Sequence, residues 1–128
     1  MATIELTKDN FNETLTENNF VLIDFWASWC GPCKQFAPVY EKASEEHTDL
    51  VFAKVDTEDQ QELAASFDIQ SIPTLMVVRD RTVIYAQPGA LPEEALQDLI
   101  KQARDLDMDE VQKEIAKQQA EGDSAAEQ

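Results

Sequence analysis

The chain has 128 residues, of which 43% are hydrophobic and 28% are charged. This length is enough for one domain with a hydrophobic core, and the composition is that of an ordinary globular protein. The formal net charge of -16 is unusual. It argues against nucleic acid and against anionic membrane surfaces as partners, because both bind clusters of Lys and Arg.

We predict neither a targeting signal nor a membrane-spanning helix from this sequence. Residues 1–5 contain no basic segment and no apolar core, so no secretory signal is predicted. No apolar run approaches the roughly 18–20 residues that a membrane-spanning helix needs. The two cysteines are too few for a disulfide scaffold, and in a reducing compartment a close pair is more often catalytic or metal-binding. We therefore predict a cytoplasmic protein.

Hydrophobic periodicity predicts strands that alternate with helices and end in a hairpin. The predicted strands are residues 4–6, 20–26, 50–55, 74–78 and 82–86. The predicted helices are residues 8–17 behind a Thr7 cap, residues 34–46, a segment behind a Thr57–Gln60 capping box, and a segment from Pro92 to Leu106. The strand Phe20–Trp26 is almost continuously apolar, which is typical of a parallel strand covered on both faces. The pattern predicts an α/β fold with a mixed sheet.

The end of the chain has a different composition. Residues 105–128 hold eight acidic residues and two lysines, which is -6 of the net charge and leaves -10 for residues 1–104. We predict one domain over residues 1–106 and an acidic C-terminal extension over residues 107–128. In the extension, Met108, Val111 and Ile115 predict one side of a short helix that Gly122 ends. Residues 121–128 have the composition of a disordered segment.

Both cysteines lie in one motif, residues 29–34, which read WCGPCK. A buried strand precedes the motif and a helix follows it, so Cys30 is predicted at a helix N-terminus. Unpaired N–H groups and the helix dipole favour a thiolate there, and we expect an exposed Cys30 with a lowered pKa. Cys33 lies one helical turn further on and is expected to be shielded. Gly31 and Pro32 fix the uncharged turn between them.

Two other interpretations of the cysteine pair are weaker. A purely structural disulfide is disfavoured because no secretory signal is predicted. A zinc site normally takes four ligands, and this chain adds one histidine, His47, to the two thiols. No metal is therefore predicted.

Asp24 interrupts the apolar strand six residues before Cys30. Burial of a carboxylate is costly, so its pKa should rise, and a carboxylate poised near neutrality is suited to act as the base for a thiol. The alternative is an Asp at a strand end that reaches water or a backbone donor. Lys54, in the neighbouring apolar strand, is either the counter-charge of Asp24 or a lysine that reaches the edge of the sheet.

The segment Phe25–Lys34 resembles the active-site segment of the bacterial-type thioredoxin family. The likeness runs from about Thr3 to Leu106. Its matching positions are Asp24, Pro38, Lys54, Ile72-Pro73-Thr74 and Gly89-Ala90-Leu91. Two positions depart from the family pattern, Ser71 before the Ile-Pro pair and Pro88 before Gly89, and both bear on the choice of partner.

This resemblance implies a thioredoxin fold, a five-stranded mixed sheet flanked by four helices. It also implies a cis bond at Ile72–Pro73, facing the cysteines. In the family, the backbone before that proline pairs with the substrate chain. Trp29, Ile72, Pro73 and Gly89 are thus expected to line a shallow substrate-binding groove around Cys30.

The function that follows is a protein-disulfide reductase. Cys30 attacks a partner disulfide, Cys33 resolves the mixed disulfide, and a flavin- and NADPH-dependent thioredoxin reductase restores the dithiol. We expect no bound cofactor, a monomer, and partners that are disulfide-containing proteins and the reductase. The alternative is a thioredoxin-like holdase co-chaperone, in which the acidic extension helps to bind clients.

Overall fold

The computed structural model describes residues 2–126, with side chains to residue 119, as a mixed sheet between layers of helices. The strands are β1 (Thr3–Glu5), β2 (Phe20–Trp26), β3 (Val51–Asp56), β4 (Thr74–Arg79) and β5 (Thr82–Pro88). Their order in the sheet is β1-β3-β2-β4-β5. β1, β3 and β2 are parallel, and β4 and β5 are antiparallel to their neighbours. The predicted five-stranded mixed sheet is therefore confirmed.

The helices within these residues are α1 (Phe11–Glu17), α2 (Gly31–Glu46), α3 (Gln61–Ser66), α4 (Glu93–Asp105) and α5 (Met108–Ala126). One core cluster joins α2 and α4 to the sheet through Phe36, Tyr40 and Ile100. A second cluster lies on the opposite face and joins α1 and α3 through Leu15 and Leu63. The first four helices therefore flank the sheet on both sides, as predicted.

Strand β2 lies at the centre of the fold. All of its residues from Phe20 to Phe25 are buried, and the side chains alternate between the two core clusters. Because successive side chains of a strand point to opposite faces, Leu22 and Asp24 share the face that α2 covers. The strand thus holds a carboxylate inside an apolar layer, beneath the helix that begins at the cysteine motif.

The predicted starts of two helices are wrong. α1 begins at Phe11 rather than Lys8, because Thr7 and Asn10 form a preceding turn in which the Asn10 side chain accepts the Thr7 N–H. α3 has no side-chain cap. Thr57 instead donates its hydroxyl proton to the Trp26 carbonyl, and the side chain of Asp56 accepts the amides that follow it. In both helices, the residue that was predicted to cap the first turn forms its hydrogen bond elsewhere.

The hairpin between β4 and β5 turns through two residues without glycine. Asp80 and Arg81 have φ values of 51° and 65°. Positive φ at both central positions is the pattern of a type I′ turn, whose twist matches that of the flanking strands. Arg79, just before the turn, donates to the carbonyls of Ala103 and Leu106 at the end of α4.

The acidic extension begins with α5, which packs against the domain. Met108 is 9% exposed, and Gln112 donates to the Thr82 hydroxyl of β5 at 2.8 Å. Val111 and Ile115 are partly buried. The helix runs through Gly122, where the sequence predicted its end, because an interior glycine costs a helix only about 1 kcal/mol. Residues 127–128 of the predicted disordered segment lie outside the described residues.

Within residues 2–126, none of the helices combines the length and the apolar character that crossing a membrane requires.

Met108→Ala tests the packing of α5. Because the side chain is buried, its truncation should lower the free energy of unfolding by about 2 kcal/mol. Chemical denaturation of the purified protein measures this change. The matched control is Gln118→Ala, an exposed position of the same helix that should change stability by less than about 0.5 kcal/mol. Equal effects of the two substitutions would show that α5 does not pack on the domain.

Candidate active site

A disulfide between Cys30 and Cys33 lies at the N-terminus of α2. Cys30 is the N-cap residue, and its sulfur accepts the Cys33 backbone N–H at 3.2 Å. Pro32 stands in the first turn of the helix, where its missing N–H costs no hydrogen bond. The strand–turn–helix arrangement predicted for the motif is therefore the one observed.

The Cys30 sulfur is less accessible than predicted. Cys30 is 4% exposed and Cys33 is 3% exposed, in a small cluster that includes Ala27 and Ile72. The expected exposure of Cys30 is thus wrong for the disulfide form, because the neighbouring side chains cover the sulfur. The flanking residues Trp29, Gly31 and Pro32 are exposed, so the motif itself forms part of the surface.

The loop before β4 contacts the disulfide. The Cys30 sulfur lies 3.7 Å from the Ile72 carbonyl oxygen, and the Ile72–Pro73 peptide bond is cis, as the family resemblance implied. Gly89 donates its N–H to the Pro73 carbonyl at 2.8 Å. It has a φ of +114°, which side chains other than glycine's rarely allow. Ile72, Pro73 and Gly89 therefore form one continuous rim beside the sulfur.

Trp29 stands on the other side of the disulfide. It is 67% exposed, and its indole N–H donates to a Glu58 carboxylate oxygen at 2.7 Å. A groove of about 340 Å³ lies between Trp29 and Ile72. The structure thus brings together the four residues predicted to bind substrate, with Trp29 as one wall of the groove and the Ile72 rim as the other.

Asp24 is 1% exposed, and neither of its carboxylate oxygens has a hydrogen-bond partner. Desolvation by burial raises the pKa of Asp24 to about 7, although the positive charge of Lys54 acts in the opposite direction. Burial therefore outweighs the attraction between the two charges. The alternative interpretation, an Asp that reaches water or a backbone donor, does not fit this environment.

Lys54 is the register neighbour of Asp24 on β3. Its ammonium nitrogen lies 4.9 Å from the centroid of the Trp26 ring, and no ion pair joins it to Asp24 among the described residues. A cavity of about 230 Å³ lies beside it and is lined by Trp26, Lys54 and Cys33, among others. Lys54 and the inner cysteine thus share one cavity, on the face of the sheet that carries Asp24.

Two contributors to this site were missed at the sequence level. Glu58 fixes the indole of Trp29, but it lies in a run of surface acids that the sequence does not distinguish. Tyr40 donates its hydroxyl proton to the Ala53 carbonyl at 2.8 Å. Burial raises the pKa of Tyr40 well above its usual value, and the charge of Asp24 adds to this effect. The helical spacing of Tyr40 predicts a core residue, but nothing in the sequence predicts its hydrogen bond to Ala53.

His47 lies at the C-terminal end of α2, away from the thiols. It bonds to Gln97, and Arg104 donates to its other ring nitrogen while also pairing with Asp49. Across the part of the chain that the structure describes, no group of three or more His, Cys, Asp or Glu side chains is arranged to hold a metal ion.

Comparison with known proteins identifies relatives over most of the chain. The thioredoxin family model matches residues 2–102. A Streptomyces coelicolor protein that bears a thioredoxin name is 69% identical over 119 residues, which are 93% of this chain and 89% of that protein. Bacillus subtilis thioredoxin is 44% identical over 101 residues, 78% of this chain and 96% of the relative.

The fold comparison agrees. A solved structure of Plasmodium falciparum thioredoxin superposes with a TM-score of 0.72 at 36% identity and covers 78% of this chain and 97% of its own. Because the Streptomyces match covers 119 residues and the predicted domain has 106, that similarity extends at least 13 residues into the acidic extension.

The raised pKa of Asp24 predicts how stability depends on pH. The folded protein keeps this proton up to about pH 7, whereas the unfolded chain loses it near 3.8, so rising pH between these values favours unfolding. The loss due to Asp24 is on the order of 4 kcal/mol. Asp24→Asn should remove it, so the variant should be more stable than the original protein above about pH 7.

Denaturant unfolding of the disulfide form from about pH 5 to 8.5 measures this difference. Asp105→Asn is the control, because it removes an exposed carboxylate and should leave the pH profile unchanged. Parallel profiles for the original protein and Asp24→Asn would contradict the burial of an ionisable Asp24.

Proposed function

Because this chain belongs to the thioredoxin family and is a thiol–disulfide reductase, we propose that Cys30 is its attacking thiol and Cys33 its resolving thiol. The observation that carries this assignment is the disulfide at the start of α2, with Cys30 as the N-cap beside the Ile72 carbonyl. A thiolate of Cys30 receives the Cys33 N–H and the positive end of the helix dipole.

The exchange has two steps. In the dithiol form, the Cys30 thiolate attacks one sulfur of a partner disulfide, a Cys30–partner disulfide forms, and the other partner sulfur leaves as a thiolate that takes up a proton. Cys33 then loses its proton and attacks the Cys30 sulfur, and the second partner sulfur leaves as a thiolate. The partner gains two electrons and two protons, and the Cys30–Cys33 disulfide forms.

Asp24 is the proposed base for Cys33. A carboxylate whose pKa is about 7 exchanges protons efficiently near neutral pH. Lys54 lines the cavity that Cys33 also lines, and its charge favours the ionised form of Asp24, which is the form that can accept the Cys33 proton. Its contact with the Trp26 ring holds the ammonium group at this place.

The groove around the disulfide is the proposed binding site for the partner chain. Trp29 and Ile72 form its walls, and Pro73 and Gly89 continue the rim beyond Ile72. The loop before β4 lies next to the reacting sulfur, which suits strand-like pairing with an extended partner segment. Gly31 and Pro32 form the turn between the two cysteines and carry no charge.

The partners are disulfide-containing proteins, and a thioredoxin reductase that uses FAD and NADPH is proposed to regenerate the dithiol. We expect the chain itself to bind no cofactor and to act in the cytoplasm, where a redox-active pair can be held reduced. The net charge of -16 favours a monomer and disfavours contact with nucleic acid and anionic membranes. Residues 1–106 are the proposed catalytic domain, with residues 107–128 as an extension.

A client-binding holdase is not favoured. The apolar stripe of the extension faces the domain, since Met108 is buried and Val111 and Ile115 are partly buried. That stripe is therefore not free to cover the apolar segments of an unfolded client.

Substitution of each cysteine separates the two proposed roles. In an assay with a bacterial thioredoxin reductase, NADPH and a disulfide-bonded protein substrate, the original protein should reduce the substrate and NADPH should be consumed. Cys30→Ser should reduce the rate of NADPH consumption at least about a thousandfold, because no attacking thiolate remains. Cys33→Ser should form a stable mixed disulfide with the substrate, visible on a non-reducing gel.

A trapped complex with Cys30→Ser but not with Cys33→Ser would reverse the assignment of the two thiols. Persistent protection of clients from aggregation by Cys30→Ser, together with negligible turnover by the original protein, would favour the holdase. Ser66→Ala is a control substitution at a position away from the two sulfurs. This variant should consume NADPH at the same rate as the original protein.

A further inference from the structure

The cavity beside the inner cysteine is separate from the proposed partner groove. Its volume is about 230 Å³, and within the described part of the chain it shares no lining residue with the groove between Trp29 and Ile72. Cys33 lines this cavity, whereas Cys30 does not. A molecule held here therefore contacts the inner cysteine without occupying the place where a partner disulfide meets Cys30.

Most of the cavity wall is apolar. Trp26, Ala27 and Ala37 line it, so the cavity lies between α2 and the end of β2. Ala27 is fully buried and Ala37 is partly buried, and neither has side-chain atoms beyond Cβ that could fill the space. An apolar cavity of about 150 Å³ is enough to hold a benzene molecule. This cavity therefore has room for a ligand with one ring or a short branched chain.

Two lysines give this apolar cavity a positive charge. Lys34 of α2 and Lys54 of β3 both line it, and its described lining residues include no carboxylate. The whole chain has 26 acidic and 10 basic residues, so a wall with two cations and no acid departs from the overall composition. The exposed Ser28 adds a hydroxyl group to the lining. An anionic ligand complements this charge.

The two ammonium groups are not neutralised by neighbouring acids. Lys34 and Lys54 form no ion pair with any described residue. The Lys54 nitrogen instead lies 4.9 Å from the centroid of the Trp26 ring. The neighbours of Lys54 in the sheet are the exposed Glu5 on β1 and the buried Asp24 on β2. Since the pKa of Asp24 is about 7, this carboxyl group does not carry a full negative charge up to neutral pH.

We propose that this cavity binds a small organic carboxylate with one apolar ring or branched chain, and that the bound anion slows the resolving step of the exchange. The apolar part lies against Trp26 and the two alanines, and the carboxylate faces Lys34 and Lys54. This inference rests on the proposed roles of the two thiols, and it adds a class of ligand that regulates them.

The effect on the exchange follows from the groups that the ligand contacts. A carboxylate beside Lys54 offsets the positive charge that favours the ionised form of Asp24. Asp24 then keeps its own proton and cannot accept the proton of Cys33. Cys30 does not line the cavity, so its attack on a partner disulfide continues. The mixed disulfide should therefore accumulate while the ligand is bound.

Binding is tested on the disulfide form with 4-methylbenzoate, by NMR titration of the backbone amides. The Kd should be on the order of 1 mM, as expected for about ten non-hydrogen atoms, and the amides of Ala27, Ser28 and Ala37 should shift. The neutral 4-methylbenzamide should bind at least about tenfold more weakly, because it lacks the charge that the lysines attract. Shifts confined to the groove residues Ala65 and Ile72, or equal affinities for the two compounds, would overturn the site.

The charged part of the site is tested by substitution of one lysine. Lys34→Gln should weaken the binding of 4-methylbenzoate at least about threefold and leave that of 4-methylbenzamide unchanged. The matched control is Lys101→Gln, which removes the same charge from an exposed position of α4 and should keep the original affinity. Unchanged affinity in Lys34→Gln would contradict the placement of the carboxylate.

The apolar part is tested by filling the cavity. Ala37→Leu should abolish the binding of both compounds, because the added side chain occupies the volume of the ligand. Ala116→Leu adds the same group to an exposed position of α5 and should bind them like the original protein. The amide spectra report in the same experiment whether each variant is folded. A folded Ala37→Leu variant that binds both compounds normally would rule out the cavity as their site.

The kinetic effect is measured with a peptide whose cysteine carries a 2-pyridyl disulfide. Attack by Cys30 on the peptide sulfur releases pyridine-2-thione, and resolution by Cys33 then releases the peptide thiol. Near-saturating 4-methylbenzoate should slow the second release at least about fivefold and leave the first within about twofold of its rate without ligand. Sodium chloride at the same ionic strength should change neither release. Equal slowing of both steps, or of neither, would contradict the regulatory effect.

The same kinetics without ligand separate this inference from the proposed function. If both products are released in turn, and Cys33→Ser releases only pyridine-2-thione, the proposed exchange stands whatever the carboxylate does. Normal exchange with neither binding nor inhibition by 4-methylbenzoate would overturn the ligand site alone. Failure of the original protein to release the peptide thiol would contradict the proposed function, and the NMR titration would still decide whether the cavity binds a carboxylate.

Discussion

The pairing of β2 with a neighbour on each side determines how the active site is assembled. β2 is buried on both faces and is parallel to β3 and antiparallel to β4. Its parallel neighbour places Lys54 beside Asp24, and its antiparallel neighbour places Thr74 beside Phe25. Since Pro73 directly precedes Thr74, the loop of Ile72 and Pro73 must lie where β2 ends and the cysteine turn begins. The contact between Ile72 and the Cys30 sulfur follows from this register.

The same strand carries a carboxylate whose two oxygens are both buried without a hydrogen-bond partner. Burial of Asp24 costs folding free energy above neutral pH, because neither of its oxygens has a hydrogen-bond partner and Lys54 compensates only in part. An apolar residue would pack here without that cost. The unfavourable burial is consistent with a group kept for proton transfer, since functional sites are where ionisable residues have strongly shifted pKa values.

The partner surface is built on different elements from the reacting sulfurs. The disulfide sits on α2, whereas the groove beside it uses α3 and the loop before β4. Substitutions on α3 can therefore change which partners bind while the cysteine turn keeps its geometry. Glu58 links the two, because its carboxylate accepts the indole N–H of Trp29, the residue directly before Cys30. The acidic extension lies elsewhere, with α5 attached to β5 through Gln112.

Local features of this chain could be predicted from the sequence, and contacts between distant segments could not. The apolar run of β2 and the cysteine spacing at the start of α2 are local features, so the sequence predicted both. The sequence left open whether Asp24 reaches water, and the structure shows that it is buried. Thr7 and Thr57 have the spacing of N-cap residues, but the Thr7 N–H donates to the Asn10 side chain and the Thr57 hydroxyl donates to the Trp26 carbonyl. The continuation of α5 through Gly122 also departs from what a glycine signals locally.

The sequence by itself determined that a reactive cysteine pair stands at a helix N-terminus after a buried strand, because spacing and hydrophobicity of adjacent residues specify this. Family resemblance, rather than periodicity, supplied the expectation that Ile72 and Pro73 face the cysteines. Only the tertiary structure decided that Cys30 is covered, that Glu58 holds Trp29, and that Tyr40 bonds to Ala53. These contacts join residues that are far apart in the chain or on different elements, and they depend on strand order, register and packing.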